Sequence, residues 1–120
     1  MKRFFIGVLI LNLLAEGLAA FFLITAPENF FAEGQLEGVV WARNYGFAAL
    51  AVASAVFWVW PNRDNSKAVG TVLGVLLTFH IGLSISLAIA GNQILGTIIH
   101  AVIAVLCLVL YTQRSRWCTE

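Results

Sequence analysis

Four ionisable residues stand inside apolar runs of this chain: Glu16, Arg43, His80 and His100. A carboxyl group with an imidazole is an acid–base pair, suited to isomerising or hydrolysing a substrate. Two imidazoles on adjacent helices can ligate one iron. A few polar groups converging in apolar surroundings form the usual small-ligand site. Arg43 is the most demanding of the four, because a guanidinium stays protonated. A charge at membrane depth costs at least a few kcal/mol, so such residues normally face a protein interior and pair with one another.

The runs themselves set the frame. The 120 residues are 61% hydrophobic and 11% charged, against about 25% charged in an ordinary soluble domain. The charged residues are too few to coat a globule, which implies an integral membrane protein. The net charge of +1 leaves no electrostatic footprint for nucleic acid. Apolar runs over residues 4–26, 39–60, 68–90 and 94–111 are each about the length of a membrane-crossing helix, and helices satisfy their own backbone groups in lipid. The fold expected is all-α, a four-helix up-down-up-down bundle in one domain over residues 1–120. The first run resembles a signal peptide in its Lys2-Arg3 start. Its length and its Asn12 and Glu16 instead point to a retained helix.

Basic residues cluster at Lys2-Arg3, at Arg63 and Lys67, and at Arg114 and Arg116. The connection around Glu28, Glu33 and Glu37 has no basic residue. The positive-inside rule then places both termini and the 61–67 loop in the cytoplasm, for a bacterial inner-membrane protein. Trp58, Trp60, Tyr111 and Trp117 stand where an aromatic belt would flank that side. The segment 27–38, with Phe30-Phe31 among acids, reads as a loop resting on headgroups. Cys107 and Cys118 have neither a metal spacing nor the context of a disulfide.

Depth counting brings the four polar residues together. At about 1.5 Å per residue, Glu16 and His80 lie roughly 19 Å from the inner edge, thirteen residues after Arg3 and Lys67 respectively. His100 lies roughly 18 Å from that edge, and Arg43 roughly 9 Å from the outer one, across a core of about 30 Å. One layer just outward of the midplane is the expectation. Asn12 lies one turn before Glu16, and Tyr45 adds a hydroxyl beside Arg43. The expected ligand-binding set is therefore Asn12, Glu16, Arg43, Tyr45, His80 and His100, with Arg43 as the natural partner of Glu16. Such a layer can also be purely structural, fixing helix register.

The third run carries Gly70, Gly74, Thr78, Gly82, Ser86 and Ala90 at four-residue spacing, a pattern that lets helices approach closely. His80 points about 180° away from Thr78 and Gly82 on an ideal helix. If His80 faces the bundle, the stripe faces outward. That arrangement predicts a homodimer or a place in a larger membrane complex.

The segment Ala42-Arg43-Asn44-Tyr45-Gly46 and the histidine of the third helix resemble a diffuse group of small four-helix bacterial membrane proteins of unknown function. The group includes the related ergosterol-biosynthesis scaffold of the endoplasmic reticulum. The resemblance implies a lipid-associated accessory protein that holds enzymes together. The reading favoured is an accessory or scaffold protein that binds a lipid-like or other hydrophobic ligand at the polar layer, with membrane lipids as partners. It needs no metal or cofactor. One alternative is a membrane enzyme acting on a lipid or isoprenoid through Glu16, His80 and His100. A further one is an electron-transfer subunit holding haem b between His80 and His100.

Overall fold

The computed structural model describes residues 1–30 and 36–119. Helix α1 spans Lys2–Thr25, α2 Leu36–Ala53, α3 Ala55–Val59, α4 Ser66–Ala90 and α5 Ile94–Gln113, with short 3-10 turns between and after them. The chain is thus all-helical among its described residues. Four stretches are long and apolar enough to cross a membrane: Lys2–Thr25, Glu37–Asn62, Ser66–Ala90 and Ile94–Arg116. Pro27 and Pro61 both fall in 3-10 turns, Pro61 at the end of the Glu37–Asn62 stretch, so neither ring interrupts an α-helix. The 27–38 connection, expected to rest on headgroups, begins with a 3-10 turn over Pro27–Phe30, and its residues 31–35 lie outside the described residues.

The chain forms two compact units, one of residues 1–8 and 59–120 and the other of residues 9–58. The first is built on the α4–α5 hairpin. Asn65 starts α4 by accepting hydrogen bonds from the Lys67 and Ala68 amides, each at 3.0 Å, an N-cap of the ordinary kind. Gly91 ends α4 with φ 75°, and its N–H returns to the Leu87 carbonyl at 3.1 Å. That left-handed position is where glycine is favoured. Ser84 Oγ donates across the hairpin to the Thr97 carbonyl at 3.2 Å. The buried seam includes Leu73, Leu76, Ile103, Cys107 and Leu110.

The same unit gathers the three basic clusters at one end. Lys2 pairs with Asp64 at 2.5 Å, and Phe5 packs on Trp117 with centroids 5.2 Å apart. The Thr119 N–H donates to the Asp64 carbonyl at 2.7 Å, and the Thr119 carbonyl accepts from the Ser66 N–H at 2.8 Å. Start of α1, the 61–65 loop and C-terminal tail therefore meet. Cys118 lies here as a free thiol. Burial and the Asp64 carboxylate push it above its usual range, against the opposing pull of Arg114 and Lys2.

In the second unit α2 turns a face of small residues inward: Ala42, Gly46, Ala49 and Ala53 are buried. Gly46 sits so close to α1 that a Cβ there would stand 2.8 Å from Ile24 Cγ1 and 3.1 Å from Leu23 Cβ. Small residues permit such a close approach.

The second apolar run differs from the continuous helix its hydropathy suggests. It breaks at Ser54, between α2 and α3. The Ser54 hydroxyl donates to the Ala51 carbonyl at 2.7 Å and accepts from Trp58 Nε1 at 3.0 Å, while the Phe57 N–H takes the tighter bond to the Ser54 carbonyl at 2.9 Å. A serine that bonds back to its own helix competes with the regular ladder and bends it.

Candidate functional site

The polar residues expected to form one layer fall into three kinds. The first kind is a mutual pair. His80, fully buried on α4, and His100, half-buried on α5, meet with their Nδ1 atoms 2.9 Å apart and ring centroids 5.2 Å apart, at an interplanar angle of 27°. Such a bond requires one Nδ1 to carry the proton and the other to present its lone pair. When both rings are neutral they are opposite tautomers. Nε2 of the donating ring is an acceptor, and Nε2 of the accepting ring is a donor. Phe79 meets the His80 ring edge-on at 5.3 Å and 84°.

The local sequence explains the pairing. Val69, Leu73, Leu76 and His80 form one buried line along α4, spaced by three and four residues as a single face requires. Gly96, whose absent Cβ would stand 3.1 Å from Leu87 Cδ1, lets α5 lie close to α4 one turn from His100. The stripe from Thr78 to Ala90 is exposed, while its N-terminal members differ: Gly70 is buried and Gly74 half-buried.

The second kind lies on α1 and α2, where Asn12 bonds to backbone. Asn12, fully buried on α1, donates from Nδ2 to the Val52 carbonyl at 3.0 Å. Val52 lies two residues before the break at Ser54. A side-chain amide there supports the irregular backbone, as polar side chains do where a helix is interrupted in an apolar setting. Glu16, one turn further along α1, is also fully buried. Tyr45, half-buried on α2, lies within range of the charge of Glu16.

Arg43 is the third kind, and here the expectation of a pair with Glu16 is not met. Arg43 is exposed, beside exposed Asn44 and Phe47. The reason is the small-residue face of α2. Ala42, Gly46 and Ala49 take the inward direction, and Arg43 is turned about 100° from Ala42.

A feature that depth counting missed lies at the other end of the α4–α5 hairpin. A groove of about 840 Å³ opens there, lined by residues that include Lys67, Gly70, Gly74, Phe79, Tyr111 and Arg114. Arg114 lies over the Tyr111 ring at 4.2 Å and donates from Nη1 to the Tyr111 carbonyl at 2.7 Å. The available signal was the three-residue spacing of Tyr111 and Arg114, opposite two glycines one turn apart.

Compared with protein-family models, with curated proteins and with solved structures, the chain matches none.

Proposed function

We propose that this chain is an integral membrane protein, a four-helix up-down-up-down bundle of a bacterial inner membrane with both termini cytoplasmic. In this reading it serves as an accessory or scaffold protein, and its buried intramembrane polar residues hold the head of a lipid-like or other hydrophobic ligand. The membrane part is supported by four helices of spanning length and by large apolar side chains left exposed, such as Trp58 at 77%, Ile89 at 82% and Leu95 at 72%. Lipid is the solvent that makes such exposure inexpensive.

The observation that carries the ligand part is the His80–His100 pair. Two imidazoles bonded to each other within spanning helices are costly to place and are a functional site by default. Their Nε2 atoms offer one donor and one acceptor, which matches a hydroxyl or carbonyl head group on an otherwise apolar molecule. Asn12, Glu16 and Tyr45 supply a second set of polar groups in the other unit. A haem iron between the histidines would require the two Nδ1 atoms, now 2.9 Å apart, to separate or the rings to turn.

Native mass spectrometry and an absorption spectrum of the protein purified in mild detergent test the reading together. A retained lipid-sized mass without a Soret band is expected. A Soret band would replace the reading with the haem one, and a bare chain mass would contradict ligand binding.

A further inference from the structure

We propose that the groove between α4 and α5, at the end where both chain termini gather, binds the phosphate head of an anionic membrane phospholipid through Arg114 and Lys67. This site is separate from the histidine pair and rests only on the membrane part of the preceding reading. The volume of about 840 Å³ lies within the usual range of small-molecule sites, about 300–1,000 Å³.

Three observations carry the proposal. First, Arg114 is preorganised. Its side chain passes close to Gly70, where a Cβ would stand 2.9 Å from Nε and 3.3 Å from Cδ, and its guanidinium is held over Tyr111 by one of its five N–H donors. A planar fork so held suits the bidentate recognition of phosphate.

Second, the charge is one-sided. Lys67 is exposed on the first turn of α4, the described residues lining the groove include no acid, and nearby Asp64 is engaged by Lys2. The amides at the start of α4 are taken, by Asn65 for Lys67 and Ala68 and by the Thr119 carbonyl for Ser66. An anion here is therefore held by side chains and not by the helix terminus.

Third, the lining changes along α4 as a phospholipid does. Lys67, Gly70 and Thr71 lie at one end, and Val75 and Phe79 further along, with Phe79 about 18 Å from Lys67 by helical rise. Thr71 and Thr78 donate their hydroxyls back to the Lys67 and Gly74 carbonyls, each at 3.0 Å, so the wall is apolar in effect beyond the cations. This polarity gradient, and the attraction of an anionic cytoplasmic leaflet for basic residues at its surface, select a phospholipid over a second copy. A symmetric contact between copies through the groove would set Lys67 and Arg114 against like charges.

The test titrates the full chain, in mild detergent, with dimyristoyl phosphatidylglycerol or dimyristoyl phosphatidylcholine, and counts retained lipid by native mass spectrometry. Phosphatidylglycerol should be retained in preference, and each of Lys67→Gln and Arg114→Gln should cut that preference by about fivefold, the factor expected for one cation near an anionic surface. Arg116→Gln, an exposed cation outside the groove lining, should leave it intact. Millimolar inorganic phosphate should not displace the lipid.

Four results would overturn the proposal. One is equal retention of the two lipids. Another is an equal loss in Arg116→Gln, and a third is displacement by free phosphate. The last is a groove variant that shifts oligomeric state and not lipid retention. Should Arg114→Gln fail to fold, Lys67→Glu on the exposed first turn carries the same test, with loss of preference expected and persistence contradicting it. A chain that stays soluble and monodisperse without detergent would fail the membrane reading itself, independently of the lipid preference.

Discussion

The two units handle buried polar groups in opposite ways. In residues 9–58, Asn12 bonds to a backbone carbonyl at Val52 beside a broken helix. In the α4–α5 hairpin, His80 and His100 bond to each other between regular helices. A side chain that supports backbone has a partner that mutation cannot remove. A side-chain pair can be replaced as a whole by apolar groups of similar shape at little cost, because no orphan remains. The first arrangement reads as architecture. The second can be exchanged for an apolar pair without orphaning a polar group, so its necessity for folding can be tested directly.

Variants can break or sharpen this contrast. The largest effect is expected from Gly46→Leu in the α1–α2 contact, where even a Cβ meets Ile24 and Leu23 at 2.8 and 3.1 Å. It should cost about 3 kcal/mol, the upper end for overpacking, read as a fall in melting temperature in detergent. Gly46 keeping its melting temperature as leucine would mean that the close approach is not tight. Asn12→Leu should cost about 1 kcal/mol, the scale of one hydrogen bond in an apolar setting, with no compensating second mutation on α2. His80→Phe alone should cost a similar amount, whereas His80→Phe with His100→Phe should recover most of it. Additive losses in that cycle would remove the distinction drawn between the units. The smallest effect is expected at Gly82, where a Cβ meets nothing within 4 Å. Gly82→Ala should change stability by less than about 0.5 kcal/mol, and a large loss would reveal a partner seated on the stripe.

Much of the architecture was legible in the sequence. Runs at 4–26, 68–90 and 94–111 match α1, α4 and α5 to within a few residues, because length and apolarity decide spanning helices with little help from context. The break in the second run was not legible. Ser54 looks like any small residue until its hydroxyl is seen bonding to Ala51 and Trp58. Depth counting correctly put His80 and His100 at one level, but depth carries no azimuth. That is why the same method paired Arg43 with Glu16: it put both at a similar level, yet the alanine–glycine face of α2 claims the inward direction and Arg43 is exposed. The basic groove was missed for a related reason. Lys67 and Arg114 were read only as topology signals, whereas they line one groove in which Gly70 leaves room beside the Arg114 side chain.

The central claim is that the buried histidine pair serves a ligand and not the fold. It is tested most directly by native mass spectrometry of the His80→Phe, His100→Phe double variant beside the wild type, each purified in the same mild detergent with its melting temperature recorded. The account predicts a near-unchanged melting temperature together with loss of the lipid-sized mass retained by the wild type. A double variant that melts far lower, or that keeps the same bound mass, would contradict it.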